Sequence, residues 1–152
     1  MEKEAILVSA CLLGVPCRYD GKSILNRDVL ELARRYRLIP VCPEVSGGLP
    51  VPREPMEIRE GRVVGKSGTD GTAAYRKGAY DTLALAKKYG CRAALLKENS
   101  PSCGSGQIHN GNFDGGLVAG NGITAAQLLA NGIAVFSENR IAELEQFLSE
   151  RS

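Results

Sequence analysis

Lys97-Glu98-Asn99-Ser100-Pro101-Ser102-Cys103-Gly104-Ser105-Gly106 comes directly after Ala93-Ala94-Leu95-Leu96. The apolar tetrapeptide reads as a short buried strand. The segment after it is a loop of hydroxyls, a thiol and glycines. Such a loop lets backbone approach a ligand closely and offers it donors, acceptors and a soft sulfur. Two other apolar runs end in the same way. Residues 5–10 run into Cys11, and Leu38-Ile39-Pro40-Val41 runs into Cys42-Pro43-Glu44. Three strands that each deliver a cysteine at the carboxyl end predict an open α/β sheet with a ligand at that edge.

Working outward, Asn26 is placed to cap a helix carrying Val29, Leu30, Leu32 and Ala33 on its inner side. Residues 38–42 form the second strand. Between Pro43 and Gly71 the prolines at 43, 50, 52 and 55 argue against helix. Within that stretch 56–59 and 62–64 fit a hairpin turning at Glu60-Gly61. Thr69 or Asp70 caps a helix with Ala73, Ala74, Ala79, Leu83, Ala86 and Tyr89 on its apolar face, closed by Gly90. Residues 107–122, rich in Gly and Asn, read as irregular. Thr124 caps a short helix, 132–136 is a fourth strand, and Asn139 opens a final helix. The β-α-β order predicts one α/β domain over residues 1–152. It is a three-layer sandwich about a short, mostly parallel sheet of the Rossmann-like or flavodoxin-like kind.

The 152 residues carry 19 basic and 17 acidic side chains. A net charge of +2 gives no reason to expect wholesale binding to nucleic acid or membrane. No apolar run is long enough to span a bilayer, and the charged start Met1-Glu2-Lys3-Glu4 lacks the order of a signal peptide. A cytoplasmic protein with reduced thiols is expected. Five cysteines then point to metal or catalytic use rather than a disulfide framework. With His109 the one histidine, a His-rich metal site is excluded. Cys11, Cys17, Cys42 and Cys103 sit in loops or at strand ends, whereas Cys91 opens an apolar strand and reads as a small hydrophobe. The Cys11–Cys17 spacing matches neither a zinc ribbon nor a ferredoxin. Glu44 can serve as general acid or base or be a surface or helix-cap glutamate, and Ser100 and Ser102 can aim hydroxyls inward or merely cap a turn. Arg53 and Glu57 can pair with each other or touch a substrate. Gly65-Lys66-Ser67 is not a phosphate loop, since the glycine required four residues upstream is Glu60.

The segments Val8-Ser9-Ala10-Cys11-Leu12-Leu13-Gly14, Cys17-Arg18-Tyr19-Asp20-Gly21, Cys42-Pro43-Glu44-Val45-Ser46-Gly47-Gly48-Leu49, Pro52-Arg53-Glu54-Pro55, Ser100-Pro101-Ser102-Cys103-Gly104 and Gly120-Asn121-Gly122-Ile123-Thr124-Ala125-Ala126 together resemble the DUF523 family, which includes thiouracil desulfidases. The resemblance covers nearly the whole chain. It implies a [4Fe–4S] cluster held by three cysteines, here Cys11, Cys42 and Cys103, with Cys17 the alternative to Cys11. The fourth iron would stay open to the sulfur of a thiolated pyrimidine, which water replaces without net electron transfer. Glu44 and Ser100 match the residues the resemblance assigns to catalysis. Larger relatives carry a second domain and act on thiolated tRNA. A chain without that domain is expected to take a free base or nucleoside. Two other readings remain open: a non-catalytic metal or cluster carrier closed by four protein ligands, and a flavodoxin-like module binding a nucleotide or phosphate in its Gly-rich loops.

Overall fold

A computed structural model describes residues 3–150, so Met1 and Glu2 of the charged start, with Arg151 and Ser152, lie outside the described residues. Four strands, β1 (Ala5–Ser9), β2 (Arg37–Val41), β5 (Ala93–Leu96) and β8 (Ala134–Ser137), form a sheet in the order β2-β1-β5-β8. Every pairing in it is parallel. Both faces are covered, so the central strands are apolar throughout rather than alternating. Ile6, Leu7, Val8, Leu95 and Leu96 are fully buried. Each such side chain contributes roughly 1.5–3 kcal/mol over its exposed state. Leu7, Ala94 and Leu96 face helices α3 (Thr72–Lys88) and α4 (Ile123–Ala130) through Leu83, Ala86, Ala125 and Leu128. Ile6, Val8 and Leu95 face α1 (Arg27–Glu31) and α5 (Ile141–Ser149) through Val29, Leu144 and Leu148. The three-layer arrangement expected from the strand–helix order is therefore present. Pro40 lies in β2, an edge strand, where its missing N–H interrupts no central ladder.

Two small antiparallel hairpins flank this frame. The first, β3 (Met56–Arg59) with β4 (Arg62–Gly65), is the hairpin expected within the proline-rich segment. The second, β6 (Gln107–His109) with β7 (Leu117–Ala119), corrects the reading of 107–122 as irregular throughout. Its strands have three residues each, too few for an alternating pattern to register. Other corrections are local. Pro43 does not prevent a helix; it sits at the start of the short α2 (Pro43–Ser46), where a missing N–H costs nothing. The second strand ends at Val41, and Cys42 is the residue that caps α2. Gly71, Gly122 and Arg140, not Thr69 or Asp70, Thr124 and Asn139, precede α3, α4 and α5. Leu30 and Ala33 face solvent, as does Ala73, because α1 is only five residues long and α3 turns Tyr75, Gly78 and Thr82 inward instead. Gly90 closes α3 with φ of 65° as expected, and Cys91 packs in the core.

Helix α2 lies backbone to backbone against α3. A Cβ on Gly78 would stand 1.9 Å from the carbonyl oxygen of Pro43, and one on Gly47 would stand 2.0 Å from that of Ala74. This contact fixes where Cys42 and Glu44 begin. Gly78→Ala is therefore expected to destabilise the protein by at least ~1–3 kcal/mol, as overpacking does, in equilibrium urea unfolding. An unchanged midpoint would show that the two helices are not in backbone contact.

Candidate active site

The chain runs from β1 to β2 on one side and returns to β5 on the other side of β1. The direction of winding reverses there, and the carboxyl ends of β1, β2 and β5 open onto one crevice. A cavity of about 420 Å³ fills it. Cys11, Cys17, Cys42 and Cys103 all line that cavity, together with Glu44, Arg53, Ser100 and His109. The strand-end cysteines, distant in sequence, therefore meet.

Each arrives by its own device. After β1 the chain tightens into a 3-10 turn, Ala10–Leu13, which presents Cys11 and ends at Gly14 with φ of 96°. Cys17 comes later in the same loop, with its carbonyl accepting from Nη2 of Arg53 at 2.9 Å. The Cys42 thiol donates to that same carbonyl at 3.7 Å. Cys103 sits in a turn organised by Ser100, whose Oγ accepts from the N–H groups of Ser102 at 3.0 Å and Cys103 at 3.1 Å. The turn also props α4. Pro101 and Ser102 carbonyls accept the first N–H groups of that helix at 2.8–3.1 Å, which is why it needs no side-chain cap. Gly122 is required at this joint, because a Cβ there would lie 2.5 Å from the Ser102 carbonyl. Thr124, read as a cap, instead shares a buried hydrogen bond of 2.8 Å with Ser102.

Glu44 is the most constrained polar group of the cavity. Its Oε1 accepts from Nε of Arg53 at 2.8 Å, with the two side chains only 15% and 6% exposed. Its Oε2 accepts a long 3.5 Å bond from Ser100 Oγ. Arg53 thus pairs with Glu44 and not with Glu57. Burial works against the Arg53 charge, but the adjoining carboxylate outweighs it and holds the guanidinium firmly protonated. Tyr75 of α3 faces the same carboxylate. Burial, then the Glu44 charge, pushes its phenol far above the usual range. Nothing in the sequence marks Tyr75, which falls outside the apolar face read for that helix.

The thiols form a linked set. A hydrogen bond from Cys17 holds the Cys11 thiol below its usual range, and the same bond raises Cys17. Cys42 is raised by its bond to Cys17 and by burial. Burial pushes Cys103 up to about 12, and the Glu44 charge adds to this. Charges on Cys42 and Cys103 would both be felt at Cys11, and a charge on Cys42 at Cys103. Mutually repelling thiolates around one space suit a cationic centre between them. Among the described residues no three His, Cys, Asp or Glu side chains close on a point that could hold one metal ion. Soft thiols brought from three strand ends to one cavity of about 420 Å³ are a donor set that iron of an iron–sulfur group accepts. The phosphate alternative fares worse. The N–H groups of Ser102, Cys103, Gly104, Gly106 and Gly122 already have protein acceptors.

Removing Arg53 would leave Glu44 enclosed without its cation. Arg53→Ala is expected to lower unfolding free energy by ~3–5 kcal/mol in urea titration, with Arg53→Lys recovering part of it. A variant as stable as the parent would show that the pair is solvated.

Against known proteins, the sequence model of the 2-thiouracil desulfurase family matches residues 6–140. A solved structure described as the [4Fe-4S]-dependent thiouracil desulfidase TudS superposes with a TM-score of 0.91 at 51% identity, covering 98% of this chain and 99% of that one. A curated Bacillus subtilis (strain 168) protein named "Uncharacterized protein YbbK" is 44% identical over 149 residues, covering 91% of this chain and 99% of the relative. With the family match running from β1 to the threshold of α5, the chain belongs to the 2-thiouracil desulfurase family.

Proposed function

We propose that this chain, acting as one domain over residues 1–152, removes sulfur from a thiolated pyrimidine base or nucleoside in the cytoplasm. In this reading Cys11, Cys42 and Cys103 hold a [4Fe–4S] cluster. The single observation that carries it is the meeting of these thiols with the Glu44–Ser100 pair in one cavity. Cys11 is preferred to Cys17 as third ligand because it shares the strand-end position, and because charges on Cys42 and Cys103 would both be felt there. Cys17 then serves as hydrogen-bond partner to its neighbours.

When bound, a cluster with an open iron supplies a soft Lewis acid for the substrate's sulfur. The protein's part is proton handling and orientation. Arg53 pairs with Glu44 and fixes its Oε1, so the carboxylate is aimed rather than free to rotate. Two backbone N–H groups occupy the acceptor side of Ser100, which leaves its one proton for Glu44 Oε2. Glu44 takes a proton from water as the water oxygen bonds to the ring carbon that carries sulfur. The carbon–sulfur bond then breaks, both electrons leaving with sulfur, as the new hydroxyl gives up its proton to become the ring carbonyl; that proton and the one held by Glu44 both end on the departing sulfide. One water is consumed and one hydrogen sulfide released, with no net change in oxidation state.

The test is sulfide release from thiouracil by anaerobically reconstituted protein. Glu44→Gln is expected to lower kcat by about 10²–10⁴-fold with iron content unchanged. Cys11→Ser, Cys42→Ser and Cys103→Ser are expected to lose iron, and Cys17→Ser to keep it. Activity in the Glu44→Gln variant equal to the parent's would overturn the catalytic assignment. Iron lost with Cys17→Ser but kept with Cys11→Ser would transfer the third ligand to Cys17.

A further inference from the structure

We propose that Glu57 reads the pyrimidine ring, its unpaired carboxylate oxygen accepting a ring N–H and so setting which base the cavity takes. This rests on the thiopyrimidine reading and names the recognition group of that same cavity. Glu57 lies on β3, is only 8% exposed, and lines the cavity that the thiols line. Its Oε1 is anchored by the N–H groups of Gly111 at 2.8 Å and Phe113 at 3.3 Å. The loop that supplies them is itself held to the strand, since Arg59 Nε donates to the Gly111 carbonyl at 3.0 Å. Gly111 has a φ of 89°, and a Cβ there would stand 2.7 Å from the Ile58 carbonyl, so the close approach needs glycine.

The second oxygen is different. Among the described residues no group donates to Oε2 and no cation pairs with Glu57, while the residue lines the cavity. A carboxylate enclosed this far, with one oxygen fixed and the other without a donor, is costly unless something donates to it. The Cys17 carbonyl already accepts from Arg53 and Cys42, and Glu44 Oε1 from Arg53. Strand β6 packs beside β3 and adds a further polar atom without a partner, His109 Nδ1, in a residue that lines the same cavity. The polar hydrogens of an oxo- or thiopyrimidine ring are its N–H groups, each flanked by carbonyl or thiocarbonyl. The free oxygen of Glu57 is complementary to that edge, whereas a ring nitrogen bearing only a lone pair would be repelled.

Binding of uracil, which has no sulfur to transfer, tests this apart from desulfuration. Uracil, 1-methyluracil and 3-methyluracil are titrated by calorimetry into the anaerobically purified full chain and its Glu57→Gln variant. The amide keeps an oxygen for Gly111 and Phe113 but turns a donor toward the cavity. Methylation at one ring nitrogen is expected to weaken binding to the parent by about tenfold or more. Glu57→Gln is expected to weaken uracil equally, and in that variant the same methylation adds less than twofold. Glu57→Asp, which keeps the charge but withdraws it, gives an intermediate loss and decides the matter if the Gln variant does not fold. Uracil binding unchanged by either substitution, equal binding of all three ligands to the parent, or no binding of uracil to the parent would overturn the proposal. Loss of sulfide release with this binding pattern intact would instead count against the desulfuration reading alone.

Discussion

Parallel pairing of β1 with β2 on one side and β5 on the other is the constraint that creates the site. Parallel neighbours all end at the same edge of a sheet, so the residues just beyond each strand are delivered to that edge. Cys11 comes two residues after β1, and Cys42 is the first residue after β2. Cys103 comes seven residues after β5, at the end of a turn long enough to cross toward the others. Burial of both faces of the sheet makes a slip in register expensive, because a one-residue slip would exchange the residues facing α3 and α4 with those facing α1 and α5. The thiols are thus positioned by the core, not by the loops that carry them.

Within that frame the cavity concentrates groups that do not tolerate each other without help. Three thiols, any of which would repel the others when ionised, share space with a buried carboxylate. The protein supplies one cation for that carboxylate, Arg53, and hydrogen bonds among the sulfurs. A buried ion pair of this kind is seldom a net source of stability, because desolvating both partners costs several kcal/mol. Its retention here makes sense as orientation, since it fixes one oxygen of Glu44 and leaves the other beside Ser100. The same logic holds beside the second hairpin, where Glu57 is fixed at one oxygen only.

The sheet, its helices and the first hairpin were legible because their signals are local: short apolar runs, period-3.6 faces and turn residues. The gathering of Cys11, Cys42 and Cys103 was legible too, since all three stand just beyond apolar runs, and strand ends converge in a parallel sheet. The unreadable features depend on contacts between distant segments. Tyr75 faces Glu44 only because α2 and α3 touch through Gly47 and Gly78. Arg53 could be read only as a partner of nearby Glu57 or as a substrate contact, because Glu44 lies nine residues upstream and only the fold brings the two together. The Gly120–Ala126 stretch belongs to the family pattern, and the structure gives it a mechanical part: Gly122 and Thr124 seat the start of α4 on the turn that carries Cys103. The short strands β6 and β7 leave no signal in the sequence, because three residues carry no period.

The central claim is that three cysteines leave one iron of a four-iron cluster without a protein ligand. Mössbauer spectra of anaerobic, ⁵⁷Fe-reconstituted protein with and without thiouracil test it most directly. The account predicts a cluster in which one iron is distinct from the other three, and in which thiouracil shifts the parameters of that iron. Four irons alike and unmoved by thiouracil, or a chain that takes up no cluster at all, would contradict it.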